Sequence, residues 1–251
     1  MLTFANAQMR YDPYPLAIIN PAMDRTAYAE LVDNFPHISL FGKLSKFDYK
    51  VSLSEKFNPS NYHQFIAANK PWNKFHSWVK SDDFIRQVGG FLKSRSIDLG
   101  LEDYTRSFGE RVGDSVKRLA RGRLPSLGQR LRSRFEFSVL KADGGEVAPH
   151  TDAPRKIVTL VMTMIKDGEW SPDLGGGLDI NRSTDDAYKF NWKNQIVPWD
   201  KIEVVETVPF VPNQCMIFVK TFNSLHSVKP MRGKGSEALR KSVTIVLESD
   251  G

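Results

Sequence analysis

From Phe135 onward the chain breaks into short β-rich runs separated by Gly, Pro and Asn, and this texture restricts the fold more than any other feature. Runs at 135–141, 146–150, 156–165, 177–181, 202–209, 214–220, 225–229 and 239–248 read as strands, eight in roughly 115 residues. That density predicts a closed or double-layered antiparallel fold of jelly-roll type. The long polar interval from Asn181 to Trp199, with Tyr188, Phe190 and Trp192, reads as a loop over one mouth of the barrel.

The first half reads differently. Asp24 is placed to cap a helix whose apolar face is Tyr28, Leu31, Val32 and Phe35, with Pro36 stopping it. A second helix follows Ser81, with the stripe Phe84, Ile85, Val88, Phe91 and Leu92. The stretch from Lys43 to Trp72 is polar and punctuated by Pro59 and Pro71, so it reads as loop with at most one short strand. We therefore expect one α+β domain of 251 residues: a helical or mixed flanking region over 1–134 and a mainly β core over 135–251.

The formal charge of +6 is concentrated. Between Arg106 and Arg134 nine basic residues stand against Glu110 and Asp114, while Val112, Val116, Leu119, Leu124, Leu127 and Leu131 recur helically. The segment reads as a helix or helix pair with a basic wet face, either solvated or turned to nucleic acid or an acidic partner. Only Phe108 interleaves its arginines, so a base-stacking platform is disfavoured. One cysteine, Cys215, excludes an internal disulfide and a cysteine-based zinc finger. With neither a basic-then-apolar leader nor 18 consecutive apolar residues, the chain reads as soluble, cytoplasmic and free of membrane partners, its oligomeric state open.

Chemistry concentrates on two strands. Side chains alternate at period two, so His150 and Asp152 share a face and Thr151 points away. His226 begins another short strand and offers a second imidazole. Two imidazoles and one carboxylate leave half of an octahedron open, the arrangement that suits non-haem Fe(II), whereas structural zinc takes four closed ligands. Further on, Arg240 and Ser242 share a strand face, a fork and hydroxyl suited to a carboxylate at the closed end of a pocket. Arg155, just past His150 and Asp152, is a further cation for an acidic ligand, outside the core site. The glycines 175–177 lack a following helix with Lys and read as a close backbone approach at the start of a strand.

The motifs PHTD (149–152), GGGLDI (175–180), NSLHSV (223–228) and RKS (240–242), in that order and spacing, resemble the Fe(II)- and 2-oxoglutarate-dependent dioxygenases, nearest the prolyl 4-hydroxylase-like branch. Residues 11–36 resemble the helical lead-in of bacterial and viral members more loosely. The resemblance implies a double-stranded β-helix in which His150, Asp152 and His226 are the catalytic iron ligands and Arg240, helped by Ser242, holds the C5 carboxylate of 2-oxoglutarate. It implies O2 as the oxidant, succinate and CO2 as products, ascorbate as a candidate reductant, and hydroxylation of a small molecule or an amino-acid or peptidyl side chain. Lys141 to Gly144 lack the tyrosine motif of collagen-type hydroxylases, and Val246 replaces the second arginine of nucleic-acid dealkylases. The alternatives are a non-oxidising cupin-like metal protein and a nucleic-acid-interacting oxygenase working through 106–134.

Overall fold

The computed structural model describes residues 1–43, 50–101, 108–121 and 131–249. Twelve strands form two antiparallel sheets. The N-terminal half contributes β1 (Ala7–Arg10), β2 (Leu16–Ile19), β3 (Gly42–Lys43) and β4 (Lys50–Ser54), with helices α1 (Arg25–Asp33), α2 (Pro59–Ala68), α3 (Lys70–Val79), α4 (Asp82–Ser94) and α5 (Phe108–Ala120). The C-terminal half contributes β5 (Leu131–Lys141), β6 (Val147–His150), β7 (Lys156–Thr163), β8 (Leu178–Ser183), β9 (Ile202–Val208), β10 (Cys215–Val219), β11 (His226–Val228) and β12 (Leu239–Ser249). All eight strands expected after Phe135 are present within a few residues of the limits read from the sequence. The larger sheet runs β1-β2-β10-β7-β12-β5-β4-β3 and the smaller β6-β11-β8-β9.

Alternation decides what each face of the larger sheet meets. On β12, Val243, Ile245 and Leu247 join the main apolar core, while Arg240, Ser242 and Thr244 line an internal cavity. On β5, Phe135 and Phe137 face the helices and Glu136 and Ser138 face inward. Leu16, Met216 and Phe218 of the larger sheet meet Leu178, Ile180, Val208 and Val228 of the smaller, so the two sheets face each other across a second apolar cluster.

The helices cover the outer face. Asp24 caps α1 by accepting from the amides of Thr26 and Ala27 at 3.0 and 3.1 Å, and Ser81 caps α4, as the sequence predicts. Of the stretch 43–72, expected as loop with one short strand, 44–49 lie outside the described residues, β4 is the short strand, and α2 and the start of α3 stand where loop was expected. Its prolines mark helix starts: Pro59 and Pro71 lie in first turns, where a missing N–H costs nothing. A second correction concerns Leu131, Arg132 and Arg134, read as helical but carried on β5, where Arg132 Nε bonds Glu248 at 3.1 Å. The run LRSRFEFSVLK alternates at period two, and pairing with β12 along its whole length outweighs the local helical spacing. Of the basic segment, 122–130 and Arg106 lie outside the described residues; Val112, Val116, Lys117 and Leu119 on α5, and Arg121 just after it, are exposed.

An aromatic cluster joins helices to sheet. Phe137, fully buried, lies 4.7 Å from Trp72, 5.2 Å from Phe135, 5.5 Å from Phe65 and 5.6 Å from Phe35, mostly edge to face. Phe137→Ala leaves a cavity under α2 and α3 and is expected to cost about 3–5 kcal/mol of unfolding free energy, measured by urea titration. A loss below about 1 kcal/mol would show that the helical layer does not depend on this cluster.

Candidate metal centre

The fold brings His150, Asp152 and His226 together: one ligand atom from each lies within 4.8 Å of the others. His150 and His226 are directly paired across β6 and β11, with ring centroids 4.5 Å apart, and Asp152 follows two residues after the strand that ends at His150. Asp152 and His226 are buried. Among the described residues no fourth Cys, His, Asp or Glu joins the group, and Cys215 is buried in the core on the helix side of β10.

Each imidazole is oriented by its own backbone. Nδ1 of His150 donates to Ala148 O at 2.9 Å and Nδ1 of His226 to Ser224 O at 3.0 Å, which leaves both Nε2 atoms with a free lone pair. Burial, with each group's cationic neighbours, pushes the imidazoles below their usual pKa, His150 to about 3, so both are neutral bases at pH 7. Burial alone would raise Asp152, but Lys156, with His226 and the Thr159 hydroxyl, holds it well below the usual carboxylate range. Lys156 pairs with Oδ1 and Thr159 Oγ donates to Oδ2 at 2.5 Å. Each oxygen thus keeps a lone pair for a metal. Neutral nitrogen donors and a buried carboxylate, three in all, fit a ferrous ion with open positions.

Arg240 and Ser242 line the same cavity as the three ligands, a space of about 120 Å3. Arg240 Nε donates to Gly176 O at 2.6 Å, and its guanidinium stacks on Phe210 at 4.4 Å. A Cβ on Gly176 would sit 3.2 Å from Arg240 Cδ, and one on Gly177 2.8 Å from Val208 O, so the triple glycine is a close backbone approach. Burial pushes the Arg240 pKa down to about 10, and among the described residues no carboxylate pairs with it. A buried guanidinium without a counterion is a site for an anion.

Arg155 lies apart: it is exposed, and the neighbouring Lys156 is the one that enters the site. Sequence reasoning also missed Lys50, Glu136 and Thr159. Thr159 lies seven residues after Asp152 on a strand whose alternate residues face inward, a signal that was there to read. Lys50 and Glu136 gave none, because β4 reaches β5 from far along the chain. His37, His63 and His76 lie outside the cluster. The loop expected over 181–199 runs from 184 to 201, because β8 continues to Ser183; it is held by Asn191 N to Phe222 O and Val197 N to Pro149 O, both 2.8 Å, and by Thr151 Oγ to Asn191 O at 2.5 Å.

No family model matches the chain, and no curated protein does. Among solved structures it is similar to a prolyl-4-hydroxylase from Pseudomonas putida, with 12% identity over 94% of this chain and 92% of that one at a TM-score of 0.46. It is also similar to the non-heme alpha ketoglutarate dependent epimerase SnoN from nogalamycin biosynthesis, with 12% identity over 93% and 78% and a TM-score of 0.49. A second SnoN structure, in complex with Fe3+, alpha ketoglutarate and nogalamycin RO, matches with a TM-score of 0.45, 12% identity and the same coverage. At such identities the chemistry has to come from the residues themselves. Among the described residues no helix is long and apolar enough to cross a membrane.

Thr159→Val keeps the shape of the side chain and removes the hydroxyl from Asp152. Metal affinity is expected to fall about 10–100-fold, read by calorimetric titration with Mn(II) under nitrogen, with the unfolding midpoint little changed. Unaltered affinity would mean that the hydroxyl does not orient the carboxylate.

Proposed function

We propose that the chain is a non-haem Fe(II)- and 2-oxoglutarate-dependent oxygenase built on a double-stranded β-helix, hydroxylating a C–H bond of a small molecule or an amino-acid or peptidyl side chain. The catalytic core is 135–251, flanked by 1–134 in a single domain. One observation carries the reading: a three-donor set that would leave half of a metal's coordination sphere free shares one cavity with an arginine that has no counterion among the described residues.

His150, Asp152 and His226 would hold the metal. A ferrous ion there supplies O2 activation coupled to decarboxylation, so that 2-oxoglutarate, O2 and R–H become succinate, CO2 and R–OH. The protein's part is positioning. Arg240, locked by Gly176 and Phe210, would bind the C5 carboxylate with Ser242 beside it, which orients the 2-oxo acid end toward the ligands. Phe218, 4.7 Å from the His226 ring, and Val161, Leu178 and Val228 make an apolar wall that limits water around the metal. Lys156 keeps Asp152 ionised, the form that binds a cation.

The test is anaerobic addition of Fe(II) and 2-oxoglutarate, expected to give a weak visible charge-transfer band, with succinate released on admitting O2. His150→Ala abolishes both, and Arg240→Ala raises the KM for 2-oxoglutarate at least tenfold, because one end of the cosubstrate loses its charged partner. Tightly held zinc with no succinate from the wild type would instead favour a non-oxidising metal protein.

A further inference from the structure

Lys50 belongs to neither the metal cluster nor the anchor, yet it lies in the same lumen. Strand pairing places it in one row with Leu140 and Arg240 across β4, β5 and β12, so Lys50 and Arg240 stand on the same face, roughly 10 Å apart by the spacing of two strands. The next rows carry Ser52, Ser138 and Ser242, then Ser54, Glu136 and Thr244. Glu136 is already engaged: its Oε1 accepts from Ser52 at 3.0 Å and Ser138 at 3.1 Å, and Lys50 Nζ stands off at 3.9 Å. Lys50 therefore has a counter-charge in range but no close hydrogen bond to it.

The charges of the lumen do not balance. Lys50, Lys156 and Arg240 stand against Asp152 and Glu136, and Arg134 adds to the positive side. On the reading proposed above, a ferrous ion adds two positive charges and 2-oxoglutarate removes two. At least one positive charge remains, and a buried uncompensated charge is costly. Location assigns it: Arg240 and Ser242 line only the inner cavity, whereas Lys50 also lines a second pocket of about 370 Å3, open at His150, walled by Val147, Ala148 and Ile196, and carrying Asn194 and one carboxylate, Glu146. That volume fits a small organic molecule. Its apolar wall lies beside a metal ligand and its cation at one end.

We infer that Lys50 recognises the primary substrate, and that this substrate is a small carboxylic acid whose carboxylate pairs with Lys50 and whose carbon chain lies along Val147 and Ile196 beside His150. This assignment rests on the oxygenase reading for the identity of the reaction, and on the lumen charges alone for the ligand class. A monoanion held by one ammonium, with no fork of donors beside it in the outer pocket, suits a carboxylate better than a phosphate.

The experiment uses the full chain loaded with Mn(II) and titrates hexanoate, L-leucine and phenylacetate, each against its primary amide, by calorimetry. At least one acid is expected to bind tenfold or more tightly than its amide. Lys50→Met should abolish that preference, Lys50→Arg should keep it, and Arg155→Gln, outside both cavities, should leave it unchanged. Succinate release with Fe(II) and O2 is then compared: in Lys50→Met the Kd of the acid rises by a larger factor than the KM for 2-oxoglutarate. No acid-over-amide preference in any pair, or a larger effect on 2-oxoglutarate than on the acid, overturns the assignment. Acid preference without succinate release overturns the oxygenase reading and leaves Lys50 as an acid-binding residue.

Discussion

The structure depends on a division of labour between the two faces of the larger sheet. Arginine, lysine and glutamate inside a barrel are tolerated only if the same strands bury enough apolar surface elsewhere to hold the sheet together. Here the opposite face meets that need. Residues 243, 245 and 247 of β12 and the phenylalanines of β5 sit under the helices, while the residues between them carry the polar lumen. The flanking helices are thus part of the condition for the site: without α2 and α3 over Phe135 and Phe137, the strand that carries Glu136 and Ser138 would have one solvated apolar face and one buried polar face.

Within the lumen, each group is held in the charge state its task requires. The imidazoles are neutral because burial outweighs the bonds from Nδ1 to carbonyls two residues earlier in their own chain, which by themselves favour the cation. The carboxylate is ionised because Lys156 and Thr159 outweigh its burial. Lys156 on Oδ1 and Thr159 on Oδ2 together keep the orientation of the carboxylate fixed.

The sequence made the C-terminal half legible because its signals are local or repeat at strand spacing. Arg240 and Ser242 lie two residues apart on β12, where alternation is enough to put them on one face, while His150 ends β6 and Asp152 follows it beyond the strand. The convergence of the two pairs on one cavity was legible only through the family pattern, not through any local rule. The N-terminal half was less readable for two reasons. Pro59 and Pro71 signal both loops and helix starts, and the polar residues around them hid the stripe Tyr62, Ile66, Trp72 and Phe75. Lys50 became part of the lumen through pairing with Leu140, ninety residues away, which no local pattern announces.

Thr151, between His150 and Asp152, ties the loop of the outer pocket to this segment. Because His150 and Asp152 face inward, Thr151 must face out, and its hydroxyl meets Asn191 O and the ammonium of Lys220 at 2.5 and 2.8 Å. Lys220 reaches the ring of Trp192 as well, 5.3 Å from its centroid, and Asn191 clasps the backbone N and O of Gln195. The loop that carries Asn194 and Ile196 into the outer pocket is therefore tied to the ligand strand itself. A single hydroxyl thus fixes the position of the pocket wall relative to His150 and Asp152.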